Sequence, residues 1–526
     1  MSTVSAATVA VDYELPSPQA LGRLYAGIRT SGEPTRLPVI APFTGAMLHE
    51  LPLSTVDDVD AADAAARVAG DAWARIEPRE RARILRRFHD LLISHREEGM
   101  DLIQWETGKA RRHAFEEVWH CAVVARYYAR ATPKSLKQQH RNGVLPILTR
   151  TRVNHHPKGV VSIVSPWNYP LSLGVTDLIP ALMAGNAVLH RPDPQGSLTA
   201  LWAQRLMREA GLPADLWQVV TGGPDIGAAV VDRGDYVTFT GSTKTGRTIA
   251  QAAAGRLKGA SLELGGKNAA LVLSDADIPA TVRGMVRASF ASAGQLCVSM
   301  ERIYVDRSIH DEFVAAFVPA VAEINVGVGF GWDLEMGSLI SQQAIDNVEA
   351  HVADARSKGA VVLTGGHHRP DLGPYVYEPT VLAQVTPAME CFGDETFGPL
   401  VSIYPIDSDA HGVALANATK YGLNSSVWTG SERRGAAVAA QLRSGLVNIN
   451  EGYAAAFGSV DAPMGGMGDS GLGRRNAVEG LLKYTESQTV SAQRVLPLAA
   501  PPGVSYRTFA AVMPQALRLM KTLRMK

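Results

Sequence analysis

Between residues 160 and 257 the sequence alternates short apolar runs with longer amphipathic stretches, and that rhythm limits the fold more than any other feature. Val160-Val161-Ser162-Ile163-Val164 reads as a buried strand. Residues 186–189, 217–220 and 236–240 read as further strands, with helices expected over 198–209 and 244–257. A strand, a crossover helix and a second strand pack as parallel neighbours, so the expectation is a doubly wound α/β sheet. A second alternating region, 269–448, opens with Ala270-Leu271-Val272-Leu273 and predicts a second α/β domain. The turn over 263–266 falls between the two, where ligand clefts form.

The 526 residues exceed what one hydrophobic core organises, which implies two or three domains. Residues 1–35 are polar and read as an arm. Residues 55–130 carry a helical pattern; Ser54 or Thr55 is placed to cap a helix whose first turn holds Asp57 and Asp58. Residues 144–156 turn extended, with Leu148, Arg150 and Arg152 alternating against Thr149, Thr151 and Val153, before Pro157-Lys158-Gly159 breaks the run. Near the C-terminus, Phe509, Val512, Met513, Leu517 and Met520 fall at helical spacings beside Arg518, Lys521, Arg524 and Lys526. That tail is expected to pack on its own subunit or a neighbour rather than on a membrane.

Lys plus Arg and Asp plus Glu number 51 each, so no net charge steers the molecule toward nucleic acid. Three cysteines, at 121, 297 and 391, cannot build a disulfide framework and have no zinc spacing, which fits a reducing cytoplasm. The N-terminal residues lack the pattern of a secretory signal, and no apolar run has the length of a membrane span. The doublets His155-His156 and His367-His368 do not chelate as units, since adjacent residues of a strand face opposite ways. No metal site is expected.

Chemistry concentrates at a few points. Glu263-Leu264-Gly265-Gly266-Lys267-Asn268 offers a carboxylate beside glycines, and Gly294-Gln295-Leu296-Cys297 offers a thiol after a turn. Singly, Cys297 reads as a buried small hydrophobe. Together they read as a nucleophile and a base for activating water. Ser165-Pro166-Trp167-Asn168-Tyr169-Pro170 is a stiff loop at a strand end that projects one amide, the donor an oxyanion hole needs. Gly241-Ser242-Thr243-Lys244-Thr245-Gly246 sits between strand and helix, where backbone N–H groups meet a phosphate.

These motifs, with Phe239-Thr240-Gly241-Ser242-Thr243, Glu395-Thr396-Phe397-Gly398-Pro399 and Pro463-Met464-Gly465-Gly466 through Ser470-Gly471, stand in an order that resembles the aldehyde dehydrogenase superfamily over residues 36–493. The wording over 293–305 and 479–488 looks closest to the actinobacterial succinate-semialdehyde dehydrogenases of NADP type. The resemblance implies an aldehyde dehydrogenase-like α/β fold. Its parts would be an N-terminal arm (1–35), a Rossmann-like dinucleotide-binding domain (36–142 and 157–264), a catalytic domain (265–465), a β-arm for oligomerisation (143–156 and 484–498) and an amphipathic tail (499–526). It implies a cytoplasmic homodimer or homotetramer that takes a small aldehyde, with no nucleic acid partner and no integral membrane segment.

By the same resemblance Cys297 would attack the aldehyde, Asn168 and the Cys297 N–H would hold the oxyanion, and Glu263 would activate water against the thioester. Trp167, Asn168, Gly241, Ser242, Gly246 and Leu264 would line the cofactor, with Glu395 and Phe397 at its nicotinamide-side ribose. Where relatives carry Lys-Pro-Ser/Ala-Glu, this chain reads Arg191-Pro192-Asp193-Pro194. The glutamate that repels a 2′-phosphate is gone and an arginine stands in the motif, which favours NADP over NAD, with NAD the alternative. The substrate implied is succinic semialdehyde. Relatives with that activity place an arginine six residues before the nucleophile, where this chain has Ala291, and another where it has Thr176 and Asp177. The loop over 452–458 is apolar and aromatic, so a medium-chain or aromatic aldehyde is the alternative substrate. A coenzyme A-acylating enzyme and a catalytically silent homologue are further alternatives, both disfavoured by Glu263. Many relatives carry a lysine nine residues after the oxyanion Asn and a glutamate after Ser-Gly-x-Gly-Arg; Asp177 and Arg475 stand there, the charges exchanged, which predicts an ion pair written in reverse.

Overall fold

The computed structural model describes residues 16–143, 149–493 and 499–524. Its first sheet has six strands in the order Gly471–Leu472, Gly259–Glu263, Tyr236–Thr240, Val160–Ser165, Ala187–Pro192, Trp217–Val219. All neighbours are parallel except the short Gly471–Leu472 edge. Val160–Ser165 is buried at every position, as a parallel strand covered on both faces must be. Helices Pro170–Ala184, Ser197–Glu209, Pro224–Arg233 and Thr243–Gly255 make the crossovers.

Four further helices, Val56–Trp73, Pro78–Ser94, Arg96–Thr107 and Arg111–Ser135, pack around this sheet and share its core, from Val59 through Tyr128 to Trp217. The first starts where a capping residue was expected: Thr55 accepts from the Asp58 N–H, and the Asp58 carboxylate accepts from the Thr55 N–H at 2.8 Å. That reciprocal box satisfies donors a helix start leaves open.

The second sheet has seven strands in the order Val361–Thr364, Thr380–Ala383, Leu400–Ile406, Met300–Asp306, Asn268–Val272, Asn424–Trp428, Leu446–Ile449, parallel but for the first. Its core, with Met285, Phe313, Phe317 and Ile403, is separate from the first. Four residues, Leu264 to Lys267, carry the chain from the carboxyl end of Gly259–Glu263 to the amino end of Asn268–Val272. The carboxyl edge of one sheet therefore faces the amino edge of the other. The cleft between them is a product of connectivity.

A third, antiparallel sheet joins Thr485–Gln493, Thr149–Pro157 and Gln139–Asn142, and it stands away from both cores. It includes the alternation expected over 149–153; Leu148 and residues 494–498 lie outside the described residues, as do 1–15 and Lys526. The tail forms a helix, Tyr506–Thr522, capped by Ser505, and none of its residues is buried. Phe509, Met513 and Met520, three of the residues expected on its apolar face, are half-buried. No helix among the described residues is long and apolar enough to cross a membrane.

Candidate active site

In the first sheet the strand order reverses between Val160–Ser165 and Tyr236–Thr240, whose crossovers leave in opposite directions. A crevice opens beyond the carboxyl ends of two such strands. The Trp167-Asn168 loop leaves one of them and the Gly241-Ser242 turn leaves the other.

Asn168 is buried, and its amide donates to the Gln295 carbonyl at 3.0 Å, reaching into the turn that carries Cys297. The loop is clamped from below. Lys109 donates to the Asn168 carbonyl at 2.7 Å, pairs with Glu117 at 2.6 Å and lies 3.7 Å from the Tyr169 ring centroid. Glu117 accepts from the Leu171 and Ser172 N–H groups, both at 3.0 Å, at the start of the Pro170–Ala184 helix. A negative charge there is favoured by the helix dipole. Lys109 and Glu117 are support residues that the sequence reading passed over. The signal for Glu117 was an acid at helical spacing from Ala114, Cys121 and Val124, on the buried face of its helix.

The turn ahead of Cys297 is unusual backbone. Ser292, Ala293 and Gly294 lie in succession in the left-handed region, at φ of 51°, 56° and 70°. For Ser292 and Ala293 this is strain of order 1–3 kcal/mol each, held by the surroundings: Ser292 bonds the Tyr169 hydroxyl at 2.8 Å and Gln295 accepts from the Ile340 N–H at 2.9 Å. The Cys297 carbonyl accepts from the Asn268 amide at 2.7 Å, which ties the thiol to the start of the second sheet. Burial pushes the Cys297 thiol up to about 12, and the nearby Glu263 and Glu395 charges add to it, against Arg475. The resting thiol is protonated at neutral pH.

Glu263 ends its strand, buried, with Oε1 accepting no hydrogen bond among the described residues. Burial pushes its carboxyl up to about 7, while Arg475 pulls the other way. Arg475 forms a buried ion pair with Asp177 and donates to Thr240 at 3.1 Å. Lys483 and the Tyr484 hydroxyl also reach Asp177, at 3.1 and 3.2 Å. Burial alone would raise the Asp177 carboxyl, but Arg475 and Lys483 outweigh it and hold it below its ordinary value. The reversed pair forms as the exchanged charges imply, with a lysine as third member.

On the cofactor side, Gly241 donates its N–H to the Glu263 carbonyl at 3.0 Å, and Ser242 caps the Thr243–Gly255 helix. A Cβ at Gly246 has no room against Leu264, nor one at Gly265 against Glu395, so these glycines let the backbone pack closely on those two side chains. Glu395 accepts from the Gly266 N–H at 2.9 Å; burial and the Glu301 charge push it up to about 8. Trp167 and Phe397 meet edge to face, centroids 5.8 Å apart. The Phe397 loop hangs on Glu301, which accepts from the Thr396 and Phe397 N–H groups and pairs with buried Lys267. Arg191 donates from Nε and Nη2 to the Gly222 carbonyl, at 3.0 and 2.5 Å, and its Nη1 stands 3.9 Å from Asp193. Asp193 turns back to accept from the Gln195 N–H at 3.0 Å, between Pro192, which ends its strand, and Pro194, which opens a 3-10 turn. This cradle suits a dinucleotide: a capped helix N-terminus, two aromatic rings, a carboxylate and a guanidinium.

A pocket runs past both neighbours of Cys297, Leu296 and Val298. Tyr169, Tyr453, Phe457 and Trp119 make it aromatic, and Glu116 and Arg287 give it charge. Among the described residues no three His, Cys, Asp or Glu side chains converge as metal ligands.

Residues 28–490 match the model of the aldehyde dehydrogenase family. A protein of Mycolicibacterium smegmatis, provisionally named succinate-semialdehyde dehydrogenase of the NADP(+) type, is 50% identical over 92% of this chain and 94% of its own. A mitochondrial succinate-semialdehyde dehydrogenase of rice is 37% identical over 85% and 84%. Among solved structures, an aldehyde dehydrogenase of Brucella melitensis superposes with a TM-score of 0.86 at 32% identity, covering 92% of this chain and 100% of its own. Betaine aldehyde dehydrogenase of Staphylococcus aureus, in complex with NAD+, superposes at 0.85 and 29% identity, covering 92% and 99%.

Proposed function

This chain belongs to the aldehyde dehydrogenase family, and on that footing we propose that it oxidises succinic semialdehyde to succinate with NADP. The observation that carries the chemistry is the junction geometry, which sets the Cys297 thiol within the field of the Glu263 carboxylate while the Asn168 amide reaches the same turn. The substrate is supported by the mycobacterial and plant relatives named for it.

Cys297 gives its proton to ionised Glu263 and its sulfur bonds the aldehyde carbon, the carbonyl electrons moving to oxygen. The Asn168 amide and the Cys297 N–H stabilise that oxyanion. When bound, the nicotinamide cofactor supplies a hydride acceptor, so that the carbon on sulfur leaves the step as a thioester. Glu263, having released that first proton to solvent, takes a proton from water as the water oxygen bonds the acyl carbon; the carbon–sulfur bond breaks, the acid departs, and the sulfur takes the proton back from Glu263.

Ser242 and the N–H groups behind it would hold the pyrophosphate, Glu395 and Phe397 the ribose near the nicotinamide, and Trp167, Gly241, Gly246 and Leu264 the walls. Arg191 would face a 2′-phosphate, with Pro192, Asp193 and Pro194 shaping that end. Residues 36–142 and 157–264 would form the cofactor unit and 265–465 the catalytic unit. The outlying three-stranded sheet would pair between subunits of a cytoplasmic homodimer or homotetramer, since an exposed sheet edge is a template for another chain.

Nicotinamide absorbance with succinic semialdehyde and either cofactor tests the reading. We expect NADP turnover at least tenfold more efficient than with pentanal, an uncharged aldehyde of matching length. Absence of NADP turnover, or no preference for the semialdehyde, refutes it.

A further inference from the structure

We infer that Arg287 anchors the carboxylate of the substrate, an assignment that rests on the semialdehyde reading above. A carboxylate at the far end of a small aldehyde needs a cation in the pocket wall. Ala291 supplies none. Arg287, four residues earlier and in the last turn of the Ile278–Phe290 helix, is the one lysine or arginine among the residues lining this pocket. The histidine there, His120, is held neutral, its value pushed down to about 3 by burial and the Arg475 charge.

The guanidinium is positioned but not used up. It donates to Glu116 at 3.2 Å, stands 3.9 Å from Glu451 and packs 5.4 Å from the Tyr453 ring centroid, with 48% of the side chain exposed. The other oxygen of Glu116 accepts from the Tyr453 hydroxyl at 3.1 Å. Burial raises the Glu116 carboxyl, so it takes up a proton more readily than an ordinary carboxylate when the arginine turns to another anion. An incoming carboxylate can replace Glu116 on the guanidinium fork while Glu116 keeps Tyr453. Two flanking acids repel any anion that fails to make the bidentate contact, which turns a charged pocket into a selective one.

The readout is a ratio, kcat/KM for succinic semialdehyde divided by kcat/KM for pentanal, which cancels losses common to both. Arg287→Ala should lower it about 10- to 100-fold, the span expected for a lost charge-assisted hydrogen bond. Arg287→Lys should fall between, keeping charge without the fork. Glu116→Gln should raise the ratio by removing the competing acid, and it decides the matter if Arg287→Ala does not fold. A high wild-type ratio that survives these changes overturns the anchor alone. A wild-type ratio near one overturns the semialdehyde reading and the anchor together.

Discussion

Arg475 and Asp177, 298 positions apart in the chain, meet as a buried ion pair within the electrostatic reach of the Glu263 carboxylate. Removing one member of such a pair strands the other, at about 3–5 kcal/mol when burial is complete. Lys483 softens that for Asp177, whereas loss of Asp177 leaves two buried cations with Glu263 as the remaining acid named beside them. Asp177→Ala should therefore destabilise more than Arg475→Ala, and the double variant should lose less than the sum of the two. Denaturant midpoints of the three proteins give the cycle; strict additivity would contradict the coupling.

Glu263 must be ionised to take a proton from water, and its carboxyl lies at about 7. Thioester hydrolysis should rise with pH through that region and level above it, falling about tenfold per unit below it. Arg475→Met removes a positive neighbour, so the Glu263 value rises and the rising limb moves to higher pH. Single-turnover pH profiles measure the displacement, and a limb that stays put or moves down would contradict it.

The Cys297 thiol is raised by burial and then by the Glu263 charge. Glu263→Gln removes that charge, so the thiol should ionise at lower pH even though hydrolysis is lost. Iodoacetamide labelling of the cofactor-free enzyme, followed by mass mapping of Cys297, should show labelling beginning at lower pH in the variant, with a rate several-fold higher at pH 8. An unchanged labelling profile would show that burial acts alone.

Under the NADP reading Arg191 would meet the 2′-phosphate with Nη1, since Nε and Nη2 hold the Gly222 carbonyl, while Asp193 is turned inward to cap its own turn. Arg191→Ala should raise KM for NADP about tenfold or more and leave KM for NAD within about threefold. Equal losses with both cofactors would assign Arg191 to holding the Gly222 turn instead.

Much of this site could be read from the sequence because its parts are local. The strands at 160, 236 and 268 are short buried runs, the Thr55–Asp58 box spans four residues, and the Asn168, Glu263 and Cys297 motifs are each contiguous. What escaped was long-range or aperiodic. The Pro170–Ala184 helix is buried on every side, so it shows no amphipathic period. The Lys267–Glu301 pair joins residues 34 apart, each unremarkable alone. Arg287 was hidden for another reason. The expected arginine position held Ala291, and only the fold brings the residue one turn earlier to the same pocket.

The crossing from Glu263 to Asn268 works as a ruler. An extended residue adds about 3.3 Å, a full hydrogen-bond length. One residue inserted between Gly265 and Gly266 would shift the Glu263 carboxylate relative to the Cys297 thiol by about that length. Deleting Lys267 would in addition strand buried Glu301. The insertion is thus the change expected to cost activity ahead of stability.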